Sequence, residues 1–461
     1  MKFIAVATSP YDSKNLVRAI KRNTGVILKQ YEVMPEIIIF DGGYKDDTFW
    51  IGKFRSKYLK SISLDETFIT IEDEFETDPL EQPLFYADIV GGSDNVDWHL
   101  KAIENTLIHP ETQQKRVNVY VCDTGIANHS NIKSFKSLDN PYLDGHGHGT
   151  HVAGLINSET YGVNKNSDMI QLYAVKVLDD QGSGSSSSII NGMMKILEHH
   201  ESTDEVSIVN MSLSGRATLK NMPLYHVFVK LQAKGIIFVV AAGNKSSSLD
   251  DLGRNKTFDA MDTFPAEIPG VLCVSATSPG TTGTTDYEKQ YLATFSNYGG
   301  NCRVNAPGVR VTSTYLGNSF VAMSGTSMAS PIVAGALALR MTAVETRPTT
   351  AEEVEAYIAQ FVEVYTQPRL VSGEWRKTHT HAFLDMEPIA QYDLGLQNPV
   401  PDPTPEPAPT PEPAPTPEPT QPIPPVQPQP VPKEQKVSKK KIIIAIVAGA
   451  VAAIIVYNFL M

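Results

Sequence analysis

The chain has 461 residues, 41% of them hydrophobic and 20% charged, with a formal net charge of −12 at pH 7. That length allows two or three domains with a sizeable core, and the acidic balance speaks against a nucleic-acid partner, which requires a basic face. The three cysteines, Cys122, Cys273 and Cys302, form no C-x-x-C pair and permit at most one bridge, so stability rests on the core, in keeping with a reducing compartment.

The chain opens on a short apolar run, Phe3-Ile4-Ala5-Val6-Ala7. A secretory signal needs an apolar core of roughly 7–15 residues, so the run is expected to form a first strand over Lys2–Ala7 rather than a leader. A helix is expected over residues 13–22, with Leu16, Val17 and Ile20 on one side, and strands over 25–28 and 36–40. Residues 67–73 alternate with period two, as a half-buried strand does. Residues 1–75 thus read as a small α/β unit. The acidic, turn-rich stretch 76–97, with Glu76-Thr77-Asp78-Pro79 and Gly91-Gly92-Ser93-Asp94, reads as a boundary.

From 98 to 395 strand-like and helix-like patterns alternate. Strands are expected at 117–121, 172–178, 206–209 and 236–240, and helices at 189–199 and 224–233. This succession implies right-handed crossovers and a mostly parallel sheet. Four short motifs sit at the ends of these elements. Asp123-Thr124-Gly125 follows the first of these strands; ligands of such sheets bind beyond the carboxyl ends of strands, although an Asx-turn uses the same residues. An aspartic-protease triplet would need a second carboxylate to share a proton, and no second Asp-Thr/Ser-Gly is present. Asp144-Gly145-His146-Gly147-His148-Gly149-Thr150-His151 holds three histidines, which suggests a metal, yet no Glu stands between them as in His-Glu-x-x-His and no Cys is near. The glycines flanking His148 suit a tight backbone that presents one ring. Ala241-Ala242-Gly243-Asn244 ends another strand; its Asn is either a turn residue or an amide donor to a developing oxyanion. Ser324-Gly325-Thr326-Ser327-Met328-Ala329-Ser330-Pro331 joins an alternating strand to a small-residue helix. A serine there is expected at the exposed start of the helix, as a cap or as a nucleophile.

Beyond 395 the composition changes. Residues 396–432 are Pro-rich, with Pro403-Thr404-Pro405-Glu406-Pro407-Ala408 repeated at 409–414. At about 3.1 Å per residue, some thirty residues of polyproline II form a stiff spacer of about 100 Å; docking of partners that read such helices is the competing use. Residues 442–461 carry no charge and as a helix would span about 30 Å, a bilayer core. Lys433, Lys436, Lys439, Lys440 and Lys441 precede this segment and no charge follows it. The positive-inside rule then puts the globular part on the cytoplasmic side, as a single-pass tail-anchored protein, unless the lysines only snorkel to headgroups. Ala445, Gly449 and Ala453 recur every fourth residue, a spacing that suits helix dimers.

Taken together in the order Asp123, His148, Asn244, Ser327, the motifs resemble those of the subtilisin-like serine proteases, the subtilases. The resemblance rests on Val121-Cys122-Asp123-Thr124-Gly125-Ile126, His148-Gly149-Thr150-His151-Val152-Ala153-Gly154, Asn210-Met211-Ser212-Leu213-Ser214-Gly215, Ala241-Ala242-Gly243-Asn244, Phe295-Ser296-Asn297-Tyr298-Gly299 and Gly325-Thr326-Ser327-Met328-Ala329-Ser330-Pro331. It covers about 98–345, and the short loop between Gly154 and Tyr161 is most similar to the proteinase K branch.

The resemblance implies a three-layer α/β/α subtilisin-like domain with a mostly parallel sheet over 98–395. It implies Ser327 as nucleophile, His148 as its base, Asp123 as the group orienting His148, and Asn244 with the Ser327 N–H as the oxyanion hole. Ser212, Leu213, Ser214 and Gly215, with Ala241, Ala242 and Gly243, are implied to line a cleft for polypeptide substrates. The unit 1–75 is similar to a ferredoxin-like α+β propeptide, an intramolecular inhibitor removed by self-cleavage within about 75–97; a permanent interaction domain is the other use of such a unit.

Two positions depart from the family pattern. Ile332 replaces a common His, and Arg303 stands where a calcium ligand is expected, so no metal residue is carried over and calcium stays open. Other functions compatible with the sequence are a catalytically silent peptide-binding module of the same fold and an acid-active aspartic protease.

Overall fold

The computed structural model describes residues 1–54, 59–65, 67–71, 74–75, 98–103, 115–138, 143–216, 222–245, 263–278, 291–293, 295–298, 302–343, 347–360, 363–371 and 374–383. The expected boundary stretch 76–97, the Pro-rich stretch and the apolar segment 442–461 lie outside the described residues. Among the described residues no helix is long and apolar enough to cross a membrane.

The chain begins with β1 (Lys2–Ala7), α1 (Pro10–Arg22), β2 (Val26–Gln30), β3 (Ile37–Asp41), α2 (Asp47–Phe54) and β4 (Leu59–Leu64). The four strands form an antiparallel sheet in the order β2-β3-β1-β4, the βαββαβ succession of a ferredoxin-like unit. α1 starts earlier than the apolar pattern suggests because Ser9 accepts a bond from Asp12 N and Pro10 fills the first turn. α2 has no strong local signal: an aromatic-rich stretch with a glycine is a poor helix former. Tertiary packing holds it, with the buried Trp50 against Phe3, Phe40 and Phe54.

Strand alternation gives this sheet two apolar faces. Phe3, Ala5, Ala7, Ile38 and Phe40 meet α1 and α2 in one cluster. Ile4, Val6, Ile37 and Ile39 belong to a second cluster, which continues into the larger part of the molecule.

β5 (Thr67–Thr70) and β6 (Glu74–Phe75) follow. The period-two stretch 67–73 was expected as a half-buried strand of the unit 1–75; the small sheet closes on β4 without β5. β5 leaves the small sheet because its partners, two short edge strands of the larger part, accept it on both sides.

The larger part comprises α3 (Trp98–Ala102), β7 (Val117–Asp123), β8 (Phe135–Ser137), α4 (His148–Asn157), β9 (Ile170–Lys176), β10 (Ser183–Ser185), α5 (Ser186–Glu201), β11 (Val206–Met211), β12 (Ser214–Arg216), α6 (Met222–Gln232), β13 (Ile237–Ala241), β14 (Thr263–Phe264), β15 (Leu272–Ser278), β16 (Tyr291–Leu292), β17 (Cys302–Pro307), β18 (Val311–Tyr315), β19 (Ser319–Ser324), α7 (Thr326–Met341), α8 (Ala351–Gln360), β20 (Glu363–Val371) and β21 (Glu374–Phe383). The main sheet runs β20-β21-β17-β15-β13-β11-β7-β9-β8. From β21 to β8 it is parallel; β20 and the side strand β16 pair antiparallel.

Its central strands are buried on both faces, so their sequences are nearly continuous apolar runs. Val117, Val119 and Val121 of β7 point to the cluster holding α4 and α7, while Tyr120 and Cys122 point to the cluster holding α5 and α6. This is the expected α/β/α layering. Cys273 and Cys302, neighbours in register on β15 and β17, bring their sulfurs to 3.3 Å as free thiols.

The chain winds outward from β7 in both directions, to β9 on one side and to β11, β13 and β15 on the other. That reversal opens a crevice at the carboxyl ends of the strands, where Asp123 ends β7.

Candidate active site

Asp123 is fully buried. Its Oδ1 accepts the N–H of Thr124 at 2.7 Å and lies 2.7 Å from Nδ1 of His148. Its Oδ2 is buried without a hydrogen-bond partner among the described residues. A carboxylate so placed is poorly solvated, and the imidazole is the side chain that meets its Oδ1.

His148 is the first residue of α4. Its neighbours are glycines for identifiable reasons. Gly147 has φ +101°, the left-handed region, and a Cβ there would strike Tyr315. A Cβ on Gly149 would lie 2.1 Å from the carbonyl oxygen of Gly125. The helix therefore seats directly on the Asp123-Thr124-Gly125 turn, and this brings His148 to Asp123.

The other two histidines of the motif do not converge on a common point. His151 turns its Nε2 to the carbonyl of Val321 at 3.0 Å, and burial pushes its pKa down to about 3. The His146 ring stands 6.3 Å from that of His148; burial first, then the charge of His148, lowers its pKa.

Asp144 organises the loop ahead of them. Its two oxygens accept the N–H groups of His146, Gly147 and Thr150 and the hydroxyls of Thr124 and Thr150. The sequence placed Asp144 at the head of the motif without giving it a task.

Ser327 is the second residue of α7, which packs on α4. It was expected at an exposed helix start. It is instead 4% exposed, and Gly325 holds the cap position. Its Oγ lies 3.3 Å from the carbonyl of Ser212, and its own carbonyl accepts the Ser212 hydroxyl at 2.8 Å. Ser212 is held in turn by Asn210 Nδ2 at 3.0 Å, and Asn210 Oδ1 accepts from Ser330 at 2.8 Å. A closed relay thus ties the first turn of α7 to the end of β11.

Asn244 follows β13. Its Oδ1 accepts both the N–H and the hydroxyl of Thr326, at 2.9 and 2.8 Å. This pairing fixes which end of the amide accepts and which donates. The loop Ala241-Ala242-Gly243 that carries it is braced by Asn297, whose side chain donates to Ala242 O and whose N–H donates to Gly243 O. Thr326 and Asn297 were quoted in motifs yet given no role; only the fold brings them to the loop.

Ser214 and Gly215 lie on β12, which pairs with β5 on one side and β14 on the other. Leu213 is buried. Of the stretch 212–215, Ser214 and Gly215 pair with the chain's own Thr70 and Ile69.

An open parallel sheet with a buried aspartate–histidine pair at its carboxyl edge, and a serine in the first turn of a helix packed on the one that carries the histidine, fits an α/β protein of the serine-hydrolase type. Comparison narrows this to one family. The chain belongs to the subtilases: the model of the Subtilase family matches residues 108–372. The chain is similar to Alkaline serine protease ver112 of Corniculantispora psalliotae, 38% identical over 224 residues that cover 47% of this chain and 52% of that protein. It is also similar to Subtilisin DY of Bacillus licheniformis, at 39% over 231 residues, 48% of this chain and 76% of the other. Proteinase R of Parengyodontium album is 36% identical over 282 residues, covering 58% of this chain and 65% of its own. The chain spans about half the length of the first of these relatives.

Proposed function

We propose that the chain is a serine endopeptidase, synthesised with its N-terminal unit as an inhibitor and tethered to a membrane by residues 442–461. The observation that carries the choice of substrate is β5. A peptide strand lies antiparallel between β10 and β12, and β12 begins two residues beyond Ser212, whose carbonyl meets Ser327 Oγ. A groove that pairs with backbone on both edges accepts extended polypeptide largely irrespective of side chains.

In this reading Ser327 Oγ attacks the scissile carbonyl, and its proton passes to His148. Asp123 holds the ring in one tautomer and stabilises the imidazolium. Asn244 and the Ser327 N–H, at the positive end of α7, receive the oxyanion. His148 then returns the proton to the departing amine, and water releases the acyl group.

The inhibitory role of the N-terminal unit is supported by how firmly it is docked. Its second apolar face shares a core with α5 and α6. Asp65 pairs with Lys2 at 2.7 Å and accepts the N–H of Ser187 at the start of α5. Glu36, 2% exposed, pairs with Lys230 of α6.

The tether is supported by the charge-free length of 442–461 and the five lysines before it, and the positive-inside rule favours a cytoplasmic peptidase. Labelling with a fluorophosphonate probe tests the chemistry: processed wild type takes the label and Ser327→Ala does not. Equal labelling of the two, or none of wild type, refutes the assignment. External protease added to intact cells leaves residues 98–395 whole if the placement is right.

A further inference from the structure

We infer that the cavity walled by Ile132, Phe135 and Leu143, together with the exposed ring of Phe320, is a distal subsite for the leaving side of a polypeptide substrate, where it takes a large apolar side chain several residues beyond the cut. The inference deepens the endopeptidase reading and rests on it.

Direction comes first. β5 lies against β12, just past Ser212, whose carbonyl meets Ser327 Oγ. β6 lies against β19, with Glu74 opposite Ser324 and Phe75 opposite Met323. A polypeptide that crosses Ser327 in the same sense carries its leaving side along β19. One edge of β19 is paired with β18 from Ser319 to Met323. Among the described residues its other edge meets a strand only at Met323 and Ser324. An antiparallel strand continued along that edge runs past Ala322, Val321 and Phe320 to Ser319, about 17 Å from Ser324 at some 3.4 Å per residue.

That path ends on a braced surface. The buried His129 donates from Nε2 to Ser319 O at 2.9 Å and accepts the N–H of Asn131 on Nδ1 at 3.1 Å. Both ring nitrogens are thus engaged, and the ring is fixed as a neutral platform. Phe320 stands edge-on to it at 5.1 Å and edge-on to Tyr161 at 5.2 Å. The N–H of Ser130 donates to Asn318 Oδ1 at 2.7 Å, which ties the His129 loop to the turn between β18 and β19. Beside His129 opens a cavity of about 560 Å³, bordered by Ile132, Phe135 and Leu143 and by Asn128 and Lys133.

Exposure marks the same place. Among the described residues of the larger part, three large apolar side chains are exposed: Leu143, Val229 and Phe320. Two of the three border this path. Apolar side chains gathered in water within a polar rim mark a surface that is covered in use. The one cation of the cavity, Lys133, already pairs with Asp168 at 2.6 Å, so the lining favours an apolar side chain over an acidic one.

Two internally quenched peptides test this on purified full-length protein whose active fraction is titrated with a fluorophosphonate. They share the residues before the cut; one ends about three residues beyond it, the other continues for about nine, roughly 30 Å of strand, as a Gly-Ser tail carrying a single Phe. The long peptide is expected to show a kcat/KM about tenfold higher, chiefly through KM, as partial burial of one large apolar side chain provides. Moving the Phe along the tail should give a maximum more than about three residues past the cut, at the reach of Phe320. The ratio of long to short peptide should fall towards one in Phe320→Ser and in Leu143→Ser, and persist in Val229→Ser; because it is a ratio, a variant that folds less well does not distort it. A ratio near one in wild type, no preferred Phe position, or a ratio that survives both Phe320→Ser and Leu143→Ser overturns the subsite. Loss of the ratio in Val229→Ser as well overturns it too, by assigning the gain to unspecific adhesion. Hydrolysis of neither peptide overturns the endopeptidase reading itself.

Discussion

Thr326 donates both its backbone N–H and its hydroxyl to the same oxygen of Asn244, so the residue next to Ser327 sets the orientation of the Asn244 amide. In the proposed mechanism Asn244→Ala is expected to lower kcat by a factor on the order of 10²–10³, the usual cost of removing one oxyanion-hole donor. KM should change little, because the donor meets charge that develops only in the transition state. Steady-state kinetics on a peptide substrate separate the two constants.

Thr326→Val tests the support rather than the donor. The Thr326 hydroxyl also accepts the buried N–H of Gly243 at 3.0 Å, so the variant strands one donor and loosens Asn244. A buried unsatisfied group costs about 1–3 kcal/mol. Both the melting temperature and kcat are expected to fall, kcat by less than in Asn244→Ala. A normal kcat would show that Asn244 holds its geometry without Thr326.

Much of this site was legible in the sequence because its groups stand at the ends of apolar strands, where local pattern is strong. Asp123 and His148, which the structure brings together at 2.7 Å, were legible that way, as were the parallel sheet and the α/β unit ahead of it. What escaped was set by contacts distant in sequence. The support of Asn244 by Thr326 and Asn297 spans tens of residues. α2 exists because Trp50 has a pocket between Phe3 and Phe40, not because its own residues favour a helix. β5 carries a strand pattern that any sheet edge could satisfy; only the fold shows that its edges are β10 and β12.

Glu36→Gln is expected to shorten the life of the inhibited state. Its carboxylate is the buried charge that meets Lys230 across the two domains. Lys230 is 40% exposed and keeps water as a partner when the carboxylate is removed, so the loss is that of the ion pair itself, about 1 kcal/mol or less. After the first cut, the lag before activity appears should shorten relative to wild type. Lys230→Met with Glu36→Gln should restore part of the lag. A lag that stays constant in the single variant would assign the docking to the apolar face alone.

His151 predicts an acid limit to the stability of the larger domain. Its folded pKa of about 3 lies below the ordinary histidine value because burial excludes the charge. The folded state therefore binds fewer protons than the unfolded one between these values. Stability is complete above about pH 6.5 and declines as pH falls towards 3, by up to about 1.4 kcal/mol per pH unit from this one group. Denaturant unfolding from pH 7 to 4 should show that slope, and His151→Leu should flatten it.

His226 predicts that the same acidification releases the N-terminal unit. It lies on α6 with Nδ1 3.0 Å from the Lys60 ammonium of β4 and Nε2 3.7 Å from Glu36. Burial first, then Lys60, lowers its pKa to about 4. Glu36 does not rescue the charged form, because Lys230 already neutralises it. A proton on Nδ1 would also replace the bond from Lys60 by a meeting of two cations. The docked state thus disfavours protonation, whereas an undocked His226 regains an ordinary value near 6.5. Docking is unaffected above that pH and weakens as pH falls from about 6.5 towards 4. Size-exclusion of the cut protein across this range should show the N-terminal fragment dissociating as the solution is acidified. His226→Gln should shift the midpoint to lower pH. A fragment that is held more tightly in acid would mean that Glu36, not Lys60, governs the ring.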